Sequence, residues 1–376
     1  MRILMTTIKG EGHLRPLLPF AGAFRDRGHE VLIAIPESAT GLVLDAGHEA
    51  WALPQAPDAA ADAVWARVGA APEEANRIVV GDLFAGVHGR AAMPGVMAAV
   101  AEWLPDVVLH ETCEFAGALT AERAGLPSVR VAVHHAELEG HVARLAAPEV
   151  DRLRAEHGLA PDPDGERLRG RSVTLTPPAL DGGRREDHYR EPYTALSPPP
   201  GRWDGDERPL VYVSYGTVAP QGDAYPGIYR DALEQLAGLE VRVLLNTGRR
   251  DPAALGVLPP GVHAERWVHE TAVLPYVAAM VSHGGAGSVR TALSAGVPLA
   301  VLPRFGDQPL NGRAVEATGA GLLVRDSDRL ADAVSALLTV PSYAGVAAGI
   351  AAEVAALPEA GEAIELLREE LAAFVV

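Results

Sequence analysis

Apolar and polar positions come in alternating blocks along this chain. Short apolar runs, each closed by a glycine or a polar turn, read as buried strands. Between them lie stretches with apolar residues three and four apart, which read as helices. Residues 3–8 form the first run, and Lys9-Gly10-Glu11-Gly12-His13 turns the chain. Residues 14–27 then place Leu14, Leu17, Leu18, Ala21 and Phe24 on one helical face before Gly28, and 31–35 is the next strand. Strand–helix–strand units build parallel sheets, with their sites at the carboxyl ends of the strands. Further strands are expected at 106–110, 128–133 and 172–176, and further helices at 115–124 and 137–157. The Ala-rich text of 54–105 reads as helices and loops over the sheet.

A change of text separates two such series. Residues 181–209 carry Gly-Gly, Arg-Arg and Ser-Pro-Pro-Pro, the composition of a linker. A fresh strand follows at 210–215, then a helix at 224–237 and strands at 241–245, 263–268, 278–281, 299–302 and 322–324. The expected fold class is α/β, with two doubly wound, Rossmann-like parallel-sheet domains facing across a cleft. The expected parts are an N-terminal domain 1–196, a linker 197–209, a C-terminal domain 210–356 and a closing helical segment 357–376. Whether that last segment returns to the first domain is open at this level.

Composition narrows the function. At 376 residues there is room for two cores. A net charge of −17 argues against a nucleic-acid partner. A single cysteine, Cys113, excludes an internal disulfide and any cysteine-based metal cluster. No apolar run is long enough to span a bilayer, and a cytoplasmic location is expected. Lys9 is the one lysine, so no Gly-Lys-Ser/Thr phosphate loop exists.

The stretch Val281-Ser-His-Gly-Gly-Ala-Gly-Ser288 runs from a strand through a glycine turn into a helix. A helix N-terminus with small residues offers backbone N–H groups and a favourable dipole to an anion, and His283 adds a donor. That suits a diphosphate. His13 lies just past the first strand, where an imidazole serves as a general base near neutral pH. Glu111 follows the strand 106–110 and could back His13, fixing its tautomer. Trp267 could stack on a nucleobase while the backbone of Val268 meets its edge. Asp307 and Gln308 are suitable partners for sugar hydroxyls. Core packing or loop turns would explain each of these residues singly. Three Asp-x-Asp triplets, at 162–164, 204–206 and 326–328, read as turns or a helix cap rather than metal sites.

Taken together, these residues resemble the inverting, nucleotide-sugar-dependent glycosyltransferases with the GT-B fold, in particular bacterial enzymes that glycosylate natural products. The likeness covers nearly the whole chain. It is carried by Gly12-His13-Leu-Arg-Pro16-Leu-Leu-Pro19 with Gly28-His29-Glu30-Val31, by 105–111 and 211–217, and by His283 through Pro298 to Asp307-Gln308-Pro-Leu-Asn311. The resemblance implies His13 as general base with Glu111 as its support, where the family usually has aspartate. It implies Thr217, His283, Gly285, Gly287 and Ser288 around the diphosphate, Trp267 and Val268 at the base, and Asp307 and Gln308 at the sugar. Thr291 stands where many plant relatives have a ribose-binding glutamate, so dTDP and UDP donors both remain open. The implied reaction is metal-independent and inverting, with no cofactor beyond the donor sugar nucleotide. The acceptor would be a small apolar or aromatic aglycone met by 54–100 and 134–145, and a homodimer is left open. Rival readings are a nucleotide-sugar epimerase, a non-catalytic sugar-nucleotide-binding helper and a dinucleotide-dependent oxidoreductase. The oxidoreductase would rest on Gly10-x-Gly12, with Arg15 where the third glycine belongs.

Overall fold

The structure is a computed structural model that describes residues 1–183, 187–191, 205–217, 220 and 225–374. Most of the expected linker, 197–204, lies outside the described residues. Internal contacts divide the chain into two units. One comprises Met1–Thr176, Arg185–Pro192 and Pro358–Val376; the other comprises Pro177–Arg184 and Tyr193–Leu357.

Each unit is built on a six-stranded parallel sheet. In the first these are β1 (Arg2–Thr6), β2 (Glu30–Pro36), β3 (Glu49–Leu53), β4 (Val107–Glu111), β5 (Ser128–Ala132) and β6 (Ser172–Thr174), in the order β3-β2-β1-β4-β5-β6. In the second they are β7 (Leu210–Ser214), β8 (Arg242–Asn246), β9 (Val262–Glu265), β10 (Ala279–Ser282), β11 (Leu299–Val301) and β12 (Gly321–Leu323), in the order β12-β11-β10-β7-β8-β9. In both units the order reverses beside the first strand, which is where a doubly wound sheet opens a crevice at its carboxyl edge. The central strands are apolar along their length because helices cover both faces. Every residue of β4 and of β7 is buried.

Several boundaries differ from the sequence reading, each for a local reason. The helix expected at 14–27 is two, Glu11–Leu14 and Leu18–Asp26. Pro16 has no N–H and breaks the ladder, whereas Pro19 falls in the first turn of the second helix, where that loss is cheap. Glu111 is the last residue of β4 rather than the residue after it. β9 ends at Glu265, so Trp267 lies beyond the strand. Strand β3, Glu-Ala-Trp-Ala-Leu, was not anticipated because only Leu53 in it is fully buried. Residues 54–105 hold the helices Asp58–Ala70 and Arg90–Trp103 with a wide π-helix, Ile78–Gly89, between them. Helix Pro341–Ala355 also went unforeseen.

The closing helix Ala363–Phe374 belongs to the first unit. Its Ala363, Ile364, Leu366 and Leu367 are buried in the same cluster as Leu17, Phe20, Phe24 and Ile33. Short polar links pin its start. Arg190 donates its backbone N–H to Pro358 O and accepts from Ala360 N–H, both at 2.9 Å, and its guanidinium meets Glu359 at 2.7 Å. Glu359 and Glu362 form a capping box before the helix.

Candidate functional site

The chemistry of the first unit gathers where β1 and β4 end side by side. These strands pair in parallel with Thr6 opposite His110, so Glu111 emerges beside the turn that follows β1. Its carboxylate is completely buried. Oε2 accepts from the backbone N–H of Cys113 at 2.8 Å, and Oε1 lies 3.5 Å from Ile8 N–H. The same Oε2 sits 3.2 Å from Nδ1 of His13, on the short helix after Gly10. A buried carboxylate fixed by amides and aimed at one ring nitrogen holds the imidazole in a single tautomer, with Nε2 turned away. His13 keeps about a quarter of its side-chain surface exposed. Phe84 meets it edge to face, the ring centres 5.7 Å apart.

A second carboxylate lies three residues on. Glu114 is 2% exposed and accepts from the N–H groups of Ala116 and Gly117, each at 2.8 Å, and from the Thr6 hydroxyl. Burial raises its pKa to about 7; the hydrogen bonds from Thr6, Gly117 and Ala116 oppose that, and Glu111 adds to it. Gly117 is required here, since a Cβ would come within 2.2 Å of the Thr6 hydroxyl. Among the described residues, His13, Glu111 and Cys113 also bring one ligand-type atom each within 4.8 Å of one another. His13 Nδ1 and Glu111 are already hydrogen-bonded to each other, an arrangement that orients a base.

A cavity of about 260 Å³ in the first unit shares with this dyad the Phe84 ring that meets His13. Its wall comes from the ends of β1, β2 and β3, from Asp58–Ala70, and from Phe84, His88 and Gly89 of the π-helix. The expected acceptor region 54–100 is thus represented; the segment 134–145 is not part of this wall. π-Helical turns are rare and concentrate at functional sites.

His110, the competitor to His13, faces elsewhere. It is buried against Arg130, Glu139 and Thr112, and its Nδ1 has no hydrogen-bond partner among the described residues. Burial, helped by the Arg130 charge, lowers its pKa to about 4. Unfolding restores an ordinary histidine. The stability due to the neutral buried form is therefore complete above about pH 6.5 and is lost as pH falls through about 4. The lowered value is worth roughly 3 kcal/mol. Urea unfolding followed between pH 7 and 4 should show His110→Leu losing about that much less stability than the wild type; identical pH profiles would refute the assignment.

In the second unit the cradle forms where β10 and β7 end, with Ser282 opposite Ser214. Gly284 adopts φ 87°, where a Cβ would strike Val301 at 2.6 Å, and Ser282 Oγ accepts its N–H at 3.0 Å. Gly285 then starts the helix Ala286–Ser294, whose first amides carry no capping side chain. Gly287 and Ser288 lie in that first turn. The His283 ring is seated between Gly216 and Gly285: a Cβ on either would approach its Nε2 to 2.7 or 2.5 Å. Its Nδ1 is enclosed without a partner among the described residues. Burial lowers the His283 pKa to about 4, with Asp307 pulling the other way, so the ring is neutral near pH 7. Thr217 follows Gly216 at the same sheet edge.

Asp307 and Gln308 begin the helix Gln308–Thr318. Gln308 is buried, and its Oε1 accepts from Arg304 N–H at 2.7 Å and Phe305 N–H at 3.1 Å. Its oxygen therefore shapes the 304–306 loop. Asn311 donates to Asp307 Oδ2 at 2.6 Å and to Gly284 O at 2.9 Å, tying the acid to the cradle. The four-residue spacing of Asp307 and Asn311 on a helix was the available signal for this link. Ser214 and Ser282, level with one another on neighbouring strands, were missed as supports of the turns. Trp267 is half-buried beyond β9, with the Arg249 guanidinium 4.9 Å from its ring centre; Val268 is core. Thr291 donates to Gly287 O at 2.8 Å, within its own helix.

Among the described residues of the Asp-x-Asp triplets, several carboxylates are engaged by the protein itself. Asp162 accepts from Glu166 and Arg167 N–H groups, Asp206 pairs with Arg208, and Asp326 caps a turn at Asp328; Asp204 lies outside the described residues. No single helix among the described residues is long and apolar enough to cross a membrane.

Residues 230–370 match the family model "Erythromycin biosynthesis protein CIII-like, C-terminal domain". The chain is 33% identical to the elloramycin glycosyltransferase ElmGT of Streptomyces olivaceus, covering 95% of this chain and 94% of that one. It is 32% identical to the L-demethylnoviosyl transferase of Streptomyces niveus over 88% and 87% of the two chains. Among solved structures it is similar to the glycosyltransferase SnogD from Streptomyces nogalater, with TM-score 0.75 and 26% identity over 98% and 99% of the chains.

Proposed function

The chain belongs to the bacterial natural-product glycosyltransferases, which move a sugar from a nucleotide donor to a natural-product acceptor, and we propose that it does so by a single inverting displacement without a metal. The observation that carries this reading is the hydrogen bond from His13 to the buried, amide-fixed carboxylate of Glu111. His13 Nε2 takes the proton from an acceptor hydroxyl as its oxygen attacks the anomeric carbon. Glu111 stabilises the imidazolium that forms. The bond from the anomeric carbon to the diphosphate breaks, and the nucleoside diphosphate leaves. Its charge is met by the amides of Gly285, Gly287 and Ser288, by the helix dipole, by Thr217 and by neutral His283 as a hydrogen-bond donor. Trp267 and the backbone of Val268 take the base; Asp307, held by Asn311, takes sugar hydroxyls, with Gln308 keeping its loop in shape. The donor is a dTDP- or UDP-sugar.

The reading is tested by calorimetric titration of dTDP and UDP. The wild type should bind at least one of them, and His283→Ala should bind it about tenfold or more weakly, the scale of a hydrogen bond to a charged group. An unchanged dissociation constant would remove His283 from the diphosphate site, and a wild type that bound neither would sink the donor assignment.

A further inference from the structure

We propose that the cavity beside the dyad selects a flat, fused-ring phenol of two or three rings as the acceptor, gripped by Trp65, Phe84 and Phe115. This rests on the glycosyl-transfer reading and adds to it the substrate class.

The first argument is composition. Three of the seventeen wall residues are Phe or Trp, in a chain where Phe, Trp and Tyr together make up 5%. His88 adds a fourth ring, and burial is the main cause that lowers its pKa, which favours a neutral, stacking imidazole. Trp65 is 49% exposed although it lines the cavity, so much of its face is available to a ligand. Aromatic walls favour flat partners through offset stacking and edge contacts, which a puckered saturated ring cannot make equally well.

The second argument is connectivity. Phe84 both lines the cavity and meets His13 edge to face, while His88 stacks on Phe84 with ring centres 6.0 Å apart at 28°. A ring system lying along Phe84 rests on the side chain that itself packs against His13. The π-helix matters here, because its Phe84 and His88 both contribute to the wall. Lys9 and Gln55 give the oxygenated edge of such a ring polar partners.

The third is size. About 260 Å³ falls just below the range of roughly 300–1,000 Å³ usual for drug-sized ligands, which suits two or three fused rings better than a large macrocycle.

The test is calorimetric binding of two probes of similar size, 4-methylumbelliferone and the saturated bicyclic alcohol 2-decalol, with dTDP and UDP titrated in parallel. The phenol should bind at least about tenfold more tightly than the alcohol. Trp65→Leu and Phe84→Leu should each weaken the phenol about fivefold or more and leave the alcohol unchanged. Trp65 is half-exposed, so its replacement keeps the fold, and unchanged nucleotide binding verifies both variants. Equal affinity for the two probes, no binding of either, or indifference of the phenol to both substitutions overturns the proposal. Loss of nucleotide binding by the wild type would instead strike the underlying transferase reading.

Discussion

His13→Ala should lower the turnover rate at least about a hundredfold, the lower end of what a positioned general base supplies. The loss should fall on the rate and leave the dissociation constant of the donor nucleotide as it was, because His13 sits in the first unit and the cradle residues in the second. The geometry permits no obvious substitute. His110 is buried in its own cluster with Arg130 and Glu139, and His88 contacts Phe84 rather than Glu111. Transfer assayed with a fixed donor and acceptor, with nucleotide affinity measured on the same preparation, decides the matter. Turnover within about threefold of wild type would dismiss His13 as the base.

Glu111→Gln should be similarly severe, at about 10²-fold or more, because the carboxylate acts through the imidazole. Two atoms compete for one oxygen: Cys113 N–H donates to Oε2 at 2.8 Å, and His13 Nδ1 reaches the same atom at 3.2 Å. An amide offers one accepting oxygen and one NH₂. Whichever way it turns, either the Cys113 or the Ile8 N–H meets a donor, or His13 loses its partner. A purely structural role for Glu111 would lower thermal stability and the amount of active protein. A positioning role also moves the pH dependence of kcat, since the imidazolium loses its counter-charge. A Glu111→Gln enzyme with the wild-type pH profile would place Glu111 outside the mechanism, whatever its rate.

Much of this site was legible because parallel sheets align their carboxyl ends. Placing His13 and Glu111 each just past a strand of one parallel sheet was enough to suggest that they meet, since neighbouring strands share a register. The cradle was legible for a similar reason, as a strand, a glycine turn and a helix have few ways to connect. What stayed hidden depends on distances that no local pattern encodes. The seat of His283 is made by Gly216 and Gly285, which lie far apart in sequence, and each glycine alone looks like a turn. Gln308 looks like a sugar ligand by type, yet its oxygen is engaged with Arg304 and Phe305. The π-helix was illegible because Ile-Val-Val-Gly-Asp-Leu-Phe-Ala-Gly-Val-His-Gly has no period that distinguishes it from an ordinary apolar helix. Strand β3 was missed because it lies at the sheet edge, where burial is partial and the alternation faint.

The closing helix changes how the gene must be cut. Its Ile364, Leu366 and Leu367 complete the apolar cluster formed by Leu17, Phe20 and Phe24. In chain order, most of the second unit is therefore an insertion within the first, entered near 193 and left near 357. A chimera made by one crossover would mate a foreign tail to a native core and inherit its mismatches. Exchange of the second unit between relatives calls for two crossovers, so that the cassette moves while the host keeps its own last helix.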